Sequence, residues 1–196
     1  MRNFEISTDS TCDLYANEIK DMQLYFLPLN YTVEVDGKLN EYVDNYTDYS
    51  QYVEYYNLLR KGYVAKTSMN NVNAHIEHFT KIAESGVKNL IHFTISYKLS
   101  PTVDVANQAV EIVKQTYPDF NCVCVECHTT TIGQGMLVRM ACNYRDAGKT
   151  LQQVAEMAEQ TKHKIQHFVV VDDLMQLASE IRSMPVGYFE AKPQRA

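Results

Sequence analysis

No stretch of this chain stays apolar for the ~20 consecutive residues that a bilayer-spanning helix needs, so no such helix is expected in its 196 residues. Basic residues are in deficit: 18 Lys and Arg stand against 24 Asp and Glu, the formal charge is −6, and the basic positions form no run. A nucleic-acid partner normally requires a clustered basic face, so none is expected and a small-molecule ligand suits the composition better. Met1-Arg2-Asn3-Phe4 leads into a strand-like segment instead of the apolar core of an export signal. The expected location is therefore cytoplasmic, where Cys12, Cys122, Cys124, Cys127 and Cys142 stay reduced. A chain of this length can bury a real core and needs no disulfides to do so.

What the chain does have is hydroxyl-rich turns. Thr67-Ser68-Met69 and Ser96-Tyr97-Lys98-Leu99-Ser100-Pro101-Thr102 each precede a segment of helical periodicity, and the second also follows a strand-like run. A helix N-terminus presents unpaired N–H groups and the positive end of its dipole, and a Ser or Thr at its entry adds a hydroxyl donor, so such turns can hold a carboxylate or phosphate. The competing reading is that these hydroxyls only cap helices.

Two other patterns carry chemistry on paper. Cys124-Val125-Glu126-Cys127-His128 spells the C-x-x-C-H of covalent haem attachment, and Cys122 adds a third thiol. Cys122 and Cys124 alternate with Val123 and Val125, however, which reads as one face of a buried strand where cysteine acts as a small hydrophobe. No metal or cofactor is expected there. His75 and His78 flank Glu77 at helical spacing and can be drawn as metal ligands; a solvated helix face is the simpler reading.

Along the chain, Phe4 to Asp9 reads as a first strand, with Asp9 to Asp13 supplying caps for a following helix. Leu24 to Val35 reads as extended chain that turns back at Asp36-Gly37 as a short peripheral hairpin, and Tyr42 to Leu59 as a tyrosine-rich amphipathic helix. Helix Val72 to Ala83, strand Asn89 to Ser96, helix Val103 to Lys114 with the stripe Val105, Ala109, Ile112, Val113, and strand Cys122 to Val125 follow. Thr129 to Thr131 with Gly133 reads as a turn, Gly135 to Arg145 and Lys149 to Lys164 as helices, and Gln166 to Val171 as a fourth strand. Strand and helix alternate, which predicts an α/β fold with a parallel sheet covered by helices on both faces. Ligands in such sheets gather outside the carboxyl ends of the strands, where the turns after Ile6, Ile95 and Val125 meet.

The motifs in this order resemble the N-terminal domain of the DegV family of bacterial fatty-acid-binding proteins. Thr8-Asp9-Ser10-Thr11-Cys12-Asp13-Leu14 is similar to that family's opening T-D-S-T-x-D-L, Lys66-Thr67-Ser68 to its T-S-x-P-S turn, and Ile95 to Ser100 to its I-S-S-x-L-S-G-T turn. Gly133-Gln134-Gly135 resembles its G-Q-G, and Val171-Asp172-Asp173-Leu174 its closing D-D-L. The resemblance implies a DegV-like α/β domain over 1–177 and a divergent tail over 178–196, with the family's second, tunnel-completing domain not matched. It implies a long-chain fatty acid as ligand, its carboxylate held by Thr67 and Ser100, with Ser68, Ser96, Thr8, Asp9 and Ser10 in support. It further implies a carrier instead of an enzyme, one that presents the acid to a separate kinase. The chain departs from the pattern at Asn70-Asn71 (Pro-Ser in the family), at Pro101 (Gly) and at Glu126-Cys127 (Asp-Ser). The residues also allow a phosphoryl-transfer enzyme built on Asp9, Asp172 and Asp173, or an interaction domain without ligand whose uncovered face makes a homo-oligomer.

Overall fold

The computed structural model describes residues 2–168. Every element below lies within one compact unit, Met1–Gln166. Its central sheet has four strands in the order β2-β1-β6-β7, all parallel: β1 (Glu5–Asp9), β2 (Tyr25–Leu27), β6 (Asn89–Thr94) and β7 (Asn121–Glu126). Helices cover both faces. On one face α3 (Val72–Glu84) and α4 (Thr102–Thr116) bury Phe79, Ile82, Ala106, Ala109, Val110 and Val113 against Leu90 and Cys122. On the other, α5 (Thr131–Asp146) and α6 (Leu151–Lys162) bury Leu137, Val138, Ala141, Val154 and Ala158 against Ile6, Ile91, Phe93 and Val125. Each large side chain so buried contributes roughly 1.5–3 kcal/mol, and the odd–even alternation along β6 and β7 feeds the two cores in turn.

A second, antiparallel sheet goes beyond what the sequence pattern predicts. The hairpin expected at Asp36-Gly37 is present as β3 (Asn30–Val35) and β4 (Lys38–Val43), but it is joined on its other edge by β5 (Ala65–Ser68), giving the order β4-β3-β5. Thr67 and Ser68 are therefore strand residues, opposite Tyr31 and Asn30, and not a helix-entry turn. The helix read from Tyr42 begins only at Tyr49: α2 spans Tyr49–Arg60, capped by Asp48, because Tyr42 and Val43 are taken by β4.

Other boundaries shift for local reasons. The buried stripe of α4 is Ala106, Ala109, Val110 and Val113, with Ile112 exposed. Helix α5 starts four residues early, so Gly133, Gln134 and Gly135 lie inside it. A Cβ at Gly135 would stand 2.6 Å from the Cys12 carbonyl oxygen and one at Gly133 2.4 Å from Thr129 Oγ1. Glycine is thus what lets α5 pack directly on the turn after β1. Residues 10–12 form a single 3₁₀ turn and the first helix, α1 (Ala16–Asp21), follows it. Of the expected fourth strand, Gln166 to Phe168 is irregular; Val169–Val171, Asp172-Asp173-Leu174, the boundary at 177 and the tail 178–196 lie outside the described residues.

Candidate functional site

In the central sheet the chain leaves β1 for β2 on one side and leaves β6 for β7 on the other. The connections after β1 and β6 therefore diverge, and such a switch point is where open α/β sheets form ligand crevices. A cavity of about 490 Å³ lies there, within the ~300–1,000 Å³ typical of small-ligand sites. One wall is Ser10 and Thr11 after β1, Ile95, Leu99 and Ser100 after β6, and Thr130 and Thr131 at the start of α5; the second sheet supplies Tyr31 and Thr67, the residues flanking it Leu29 and Met69, and α2 Tyr52.

Three of the expected site residues, Thr67, Ser100 and Ser10, thus meet on one cavity. The Ser100 hydroxyl lies 2.8 Å from that of Thr102, which lines the cavity from the first turn of α4. Ser10 Oγ accepts from Leu29 N at 3.1 Å, which fastens the β1 turn to the chain leading into the second sheet. The capping alternative is answered by the geometry. Asn71 caps α3 through Ala74 N, Pro101 occupies the cap of α4 without a side-chain bond, and Thr130 makes no cap bond to α5. Hydroxyls in these turns are not spent on helix capping, while the first residues of α4 and α5, Thr102 and Thr131, line the cavity.

The remaining expected residues stand behind this wall or beside it. Ser68 donates to Asn30 O at 3.3 Å and does not line the cavity. Ser96 is buried and shapes its turn: its Oγ accepts from Lys98 N at 3.3 Å and its N–H donates to Thr129 O at 2.9 Å. Thr8 and Asp9 are buried under the cavity floor. Asp9 Oδ1 accepts from Thr11 N at 3.1 Å and from Gln134 Nε2 at 3.0 Å, and it also meets the Thr11 hydroxyl. Gln134 Nε2 donates to Thr8 Oγ1 at 3.2 Å as well, and Thr11 Oγ1 reaches Gln134 Oε1 at 2.9 Å. Burial pushes the Asp9 carboxyl up to about 6, partly offset by the Thr11 and Gln134 hydrogen bonds, and its Oδ2 has no partner.

Gln134 is the residue that sequence reasoning missed. Its signal was there: two glycines flanking a polar residue in the interior of a helix mark a close approach, and the residue between them faces what is approached. Glu126, a departure from the family pattern, ties the end of β7 to the Ser96 turn by accepting from Tyr97 N (3.0 Å) and His128 N (2.8 Å). Burial opposes its charge, yet these amides and Lys162 hold its carboxyl below the usual carboxylate range. Asn70, another departure, donates to Pro28 O at 3.1 Å.

The cysteine and histidine patterns resolve differently. Cys122 and Cys124 pack in the α3–α4 core, whereas Cys127 is buried in the α5–α6 core, so the C-x-x-C cysteines serve separate clusters. Burial pushes the Cys127 thiol well above its ordinary range. His75 is not on a solvated face. It is fully buried with His92, and His78 Nε2 and His92 Nδ1 lie 2.7 and 2.9 Å from Ser7 Oγ. Burial lowers all three histidines, His78 to about 4. Among the described residues no three or more His, Cys, Asp or Glu converge to hold a metal, and no helix is long and apolar enough to cross a membrane.

A parallel sheet with helices on both faces and a hydroxyl-lined cavity at its switch point define an open-sheet α/β domain. The family model for the DegV family, described as uncharacterised proteins, matches residues 3–182, and the chain belongs to that family. A DegV domain-containing protein of Clostridium perfringens is 30% identical over 174 residues, covering 89% of this chain and 58% of its own length. The Lactococcus lactis protein YteA is 32% identical over 178 residues, covering 89% and 59%. This chain thus spans less than two thirds of the length of these relatives. Among solved structures, DegV of Bacillus subtilis, a fatty acid binding protein, superposes with a TM-score of 0.71 at 17% identity, over 93% of this chain and 62% of that one. A stearic acid-binding protein of Eubacterium ventriosum gives 0.66 at 23% identity, over 80% and 52%. These likenesses establish the shared fold.

Proposed function

We propose that this chain binds a long-chain fatty acid through its carboxylate, which accepts hydrogen bonds from the hydroxyls of Thr67 and Ser100. The observation that carries the reading is that these two residues, 33 positions apart and on different sheets' margins, line one cavity. The N-termini of α4 and α5 border it from the same side, and a hydrogen bond to a charged acceptor is worth roughly 1.5–3 kcal/mol, more than to a neutral one. Leu29, Ile95, Leu99 and Met69 offer apolar wall to the start of an acyl chain. Asp13 and Asp44 line this cavity as well as a neighbouring one, so the carboxylate is assigned to its hydroxyl-bearing residues Thr67, Ser100 and Thr102. Solved relatives of the same fold are described as fatty-acid-binding proteins, which supports the ligand class.

The protein in this reading is a carrier. Presentation of the acid to an acyl-phosphate-forming kinase extends it, as does self-association through Tyr97, Ile132 and Met136, which are exposed at this edge. A phosphoryl-transfer enzyme finds less support: Asp9 is 1% exposed, its Oδ1 is held by Thr11 and Gln134, and it does not line the cavity. Mass spectrometry of lipid extracted from purified protein tests the proposal. Stoichiometric acyl chains are the expected result; an absence of lipid together with phosphate release from a substrate panel would favour the enzyme.

A further inference from the structure

A second cavity, of about 710 Å³, adjoins the first, and Ser10, Asp13, Asp44, Tyr46, Tyr52 and Tyr56 line both. Beyond that shared wall it is apolar at Leu14, Ile19, Phe26 and Ile132, whereas the first cavity carries Thr67, Ser100 and Thr102. A long acid with its carboxylate on those hydroxyls reaches the apolar end by passing Asp44. This half-buried side chain is fixed by a closed ring of hydrogen bonds. Asp44 N donates to Leu29 O at 2.8 Å, Leu29 N donates to Ser10 Oγ at 3.1 Å, and the Ser10 hydroxyl donates to the Asp44 carboxylate. Arg139 lines the second cavity too, but gives its Nε and Nη2 to Glu18 Oε1 at 2.9 and 2.6 Å.

A carboxylate has about four acceptor positions, and the Ser10 hydroxyl takes one of them on Asp44. An all-methylene chain drawn past Asp44 displaces water from it and returns no hydrogen bond, which is costly for a polar or charged group. A hydroxyl carried on the chain at that point donates to the carboxylate instead, a bond of the stronger, charge-assisted kind. Resting on the fatty-acid reading of the first cavity, we infer that the preferred ligand is a long-chain acid hydroxylated in mid-chain. Its hydroxyl donates to Asp44 where the two cavities meet, and its terminal segment lies along Leu14, Ile19, Phe26 and Ile132. Thr67 and Ser100 then select the head of the ligand and Asp44 the chemistry of its chain. Asp13 shares the wall but is exposed and has a partner of its own, so the hydroxyl is assigned to Asp44. Burial raises the Asp44 carboxyl from its ordinary value and the Ser10 bond lowers it; a second donor acts in the same direction as Ser10.

The test titrates stearic, 10-hydroxystearic and 12-hydroxystearic acid separately into the full chain by calorimetry. At least one hydroxy acid is expected to bind about tenfold more tightly than stearic acid. Asp44→Leu removes the acceptor and puts apolar surface in its place, so stearic acid should bind more tightly than it does to wild type and the two acids should fall within about twofold of each other. Asp44→Asn keeps the size and a neutral acceptor and should retain a preference of about threefold; it carries the test if circular dichroism shows that Asp44→Leu does not fold. As a second readout, the Asp44 carboxyl followed by NMR should titrate lower in the hydroxy-acid complex than in the stearic acid complex. Equal binding of all three acids to wild type, an undiminished preference in a folded variant, or the same Asp44 titration in both complexes would each overturn the inference while leaving the fatty-acid reading intact. Binding of none of the three acids would overturn both.

Discussion

Two buried polar clusters sit on opposite faces of the central sheet, one under α5 and one under α3, and only the first reaches a cavity. In the first, Asp9 Oδ1, Thr8, Thr11 and Gln134 bond to one another while Asp9 Oδ2 has no partner, and the turn they stiffen puts Ser10 and Thr11 on the cavity wall. In the second, Ser7 bridges His78 and His92, but Nε2 of His75 and of His92 have no partner and none of these residues lines a cavity described above. Buried polarity alone is therefore a poor marker of function; what distinguishes the first cluster is that its backbone continues into the site. The second acts on stability.

The comparison can be broken most forcefully at Gly135. A methyl group there would meet the Cys12 carbonyl at 2.6 Å, backbone that cannot step aside without moving the whole turn. Gly135→Ala is expected to cost about 3 kcal/mol in urea denaturation and to weaken ligand binding as well, because the displaced turn carries Ser10 and Thr11. A cost below about 1 kcal/mol would show that α5 does not fix the turn.

Acid separates the clusters by sign. The buried histidines are neutral in the fold and protonate more readily when unfolded, so the unfolded state binds more protons and stability falls as pH drops below 6.5. For His78, lowered from 6.5 to about 4, the loss across that window amounts to about 3 kcal/mol. Asp9 runs the other way. Its carboxyl is raised from 3.8 to about 6, so the folded state takes up the proton first and stability from this group is gained as pH falls from 6 towards 3.8. Three histidines against one aspartate predict net acid destabilisation in denaturation curves between pH 7 and 4, which His78→Gln should lessen and Asp9→Asn should steepen. A wild-type stability that rises on acidification would contradict the histidine assignment.

A smaller effect is expected at Gln134. Gln134→Leu removes partners from Thr8, Asp9 and Thr11 together, and leaving such groups buried and unpaired costs about 2 kcal/mol. It should also push the Asp9 carboxyl higher still, since a hydrogen bond that favours its charged form is lost. An unchanged Asp9 titration by NMR would remove Gln134 from the network.

The sequence made the α/β alternation legible because β1, β6 and β7 are apolar runs between helices of regular period, and Asp36-Gly37 announced its hairpin. It hid β5, whose four residues Ala65–Ser68 carry no apolar run and acquire strand character only by pairing with β3, more than 30 residues earlier. For the site, Thr67 and Ser100 were readable as hydroxyls near helix starts, yet Thr67 reaches the cavity from a strand. His75 shares a helical face with Phe79 and Ile82, both of which are buried, at i+4 and i+7, so helical period marks it as buried where its polar side chain alone suggests a solvated face.

The central claim is that Thr67 and Ser100 act as one carboxylate clamp, and calorimetric titration of a long-chain fatty acid into wild type and Thr67→Ala/Ser100→Ala tests it most directly. The account predicts a folded double variant whose affinity is lower by at least about tenfold, the loss of about 1.4 kcal/mol or more from two bonds to a charged group. Wild-type affinity in that variant would contradict it.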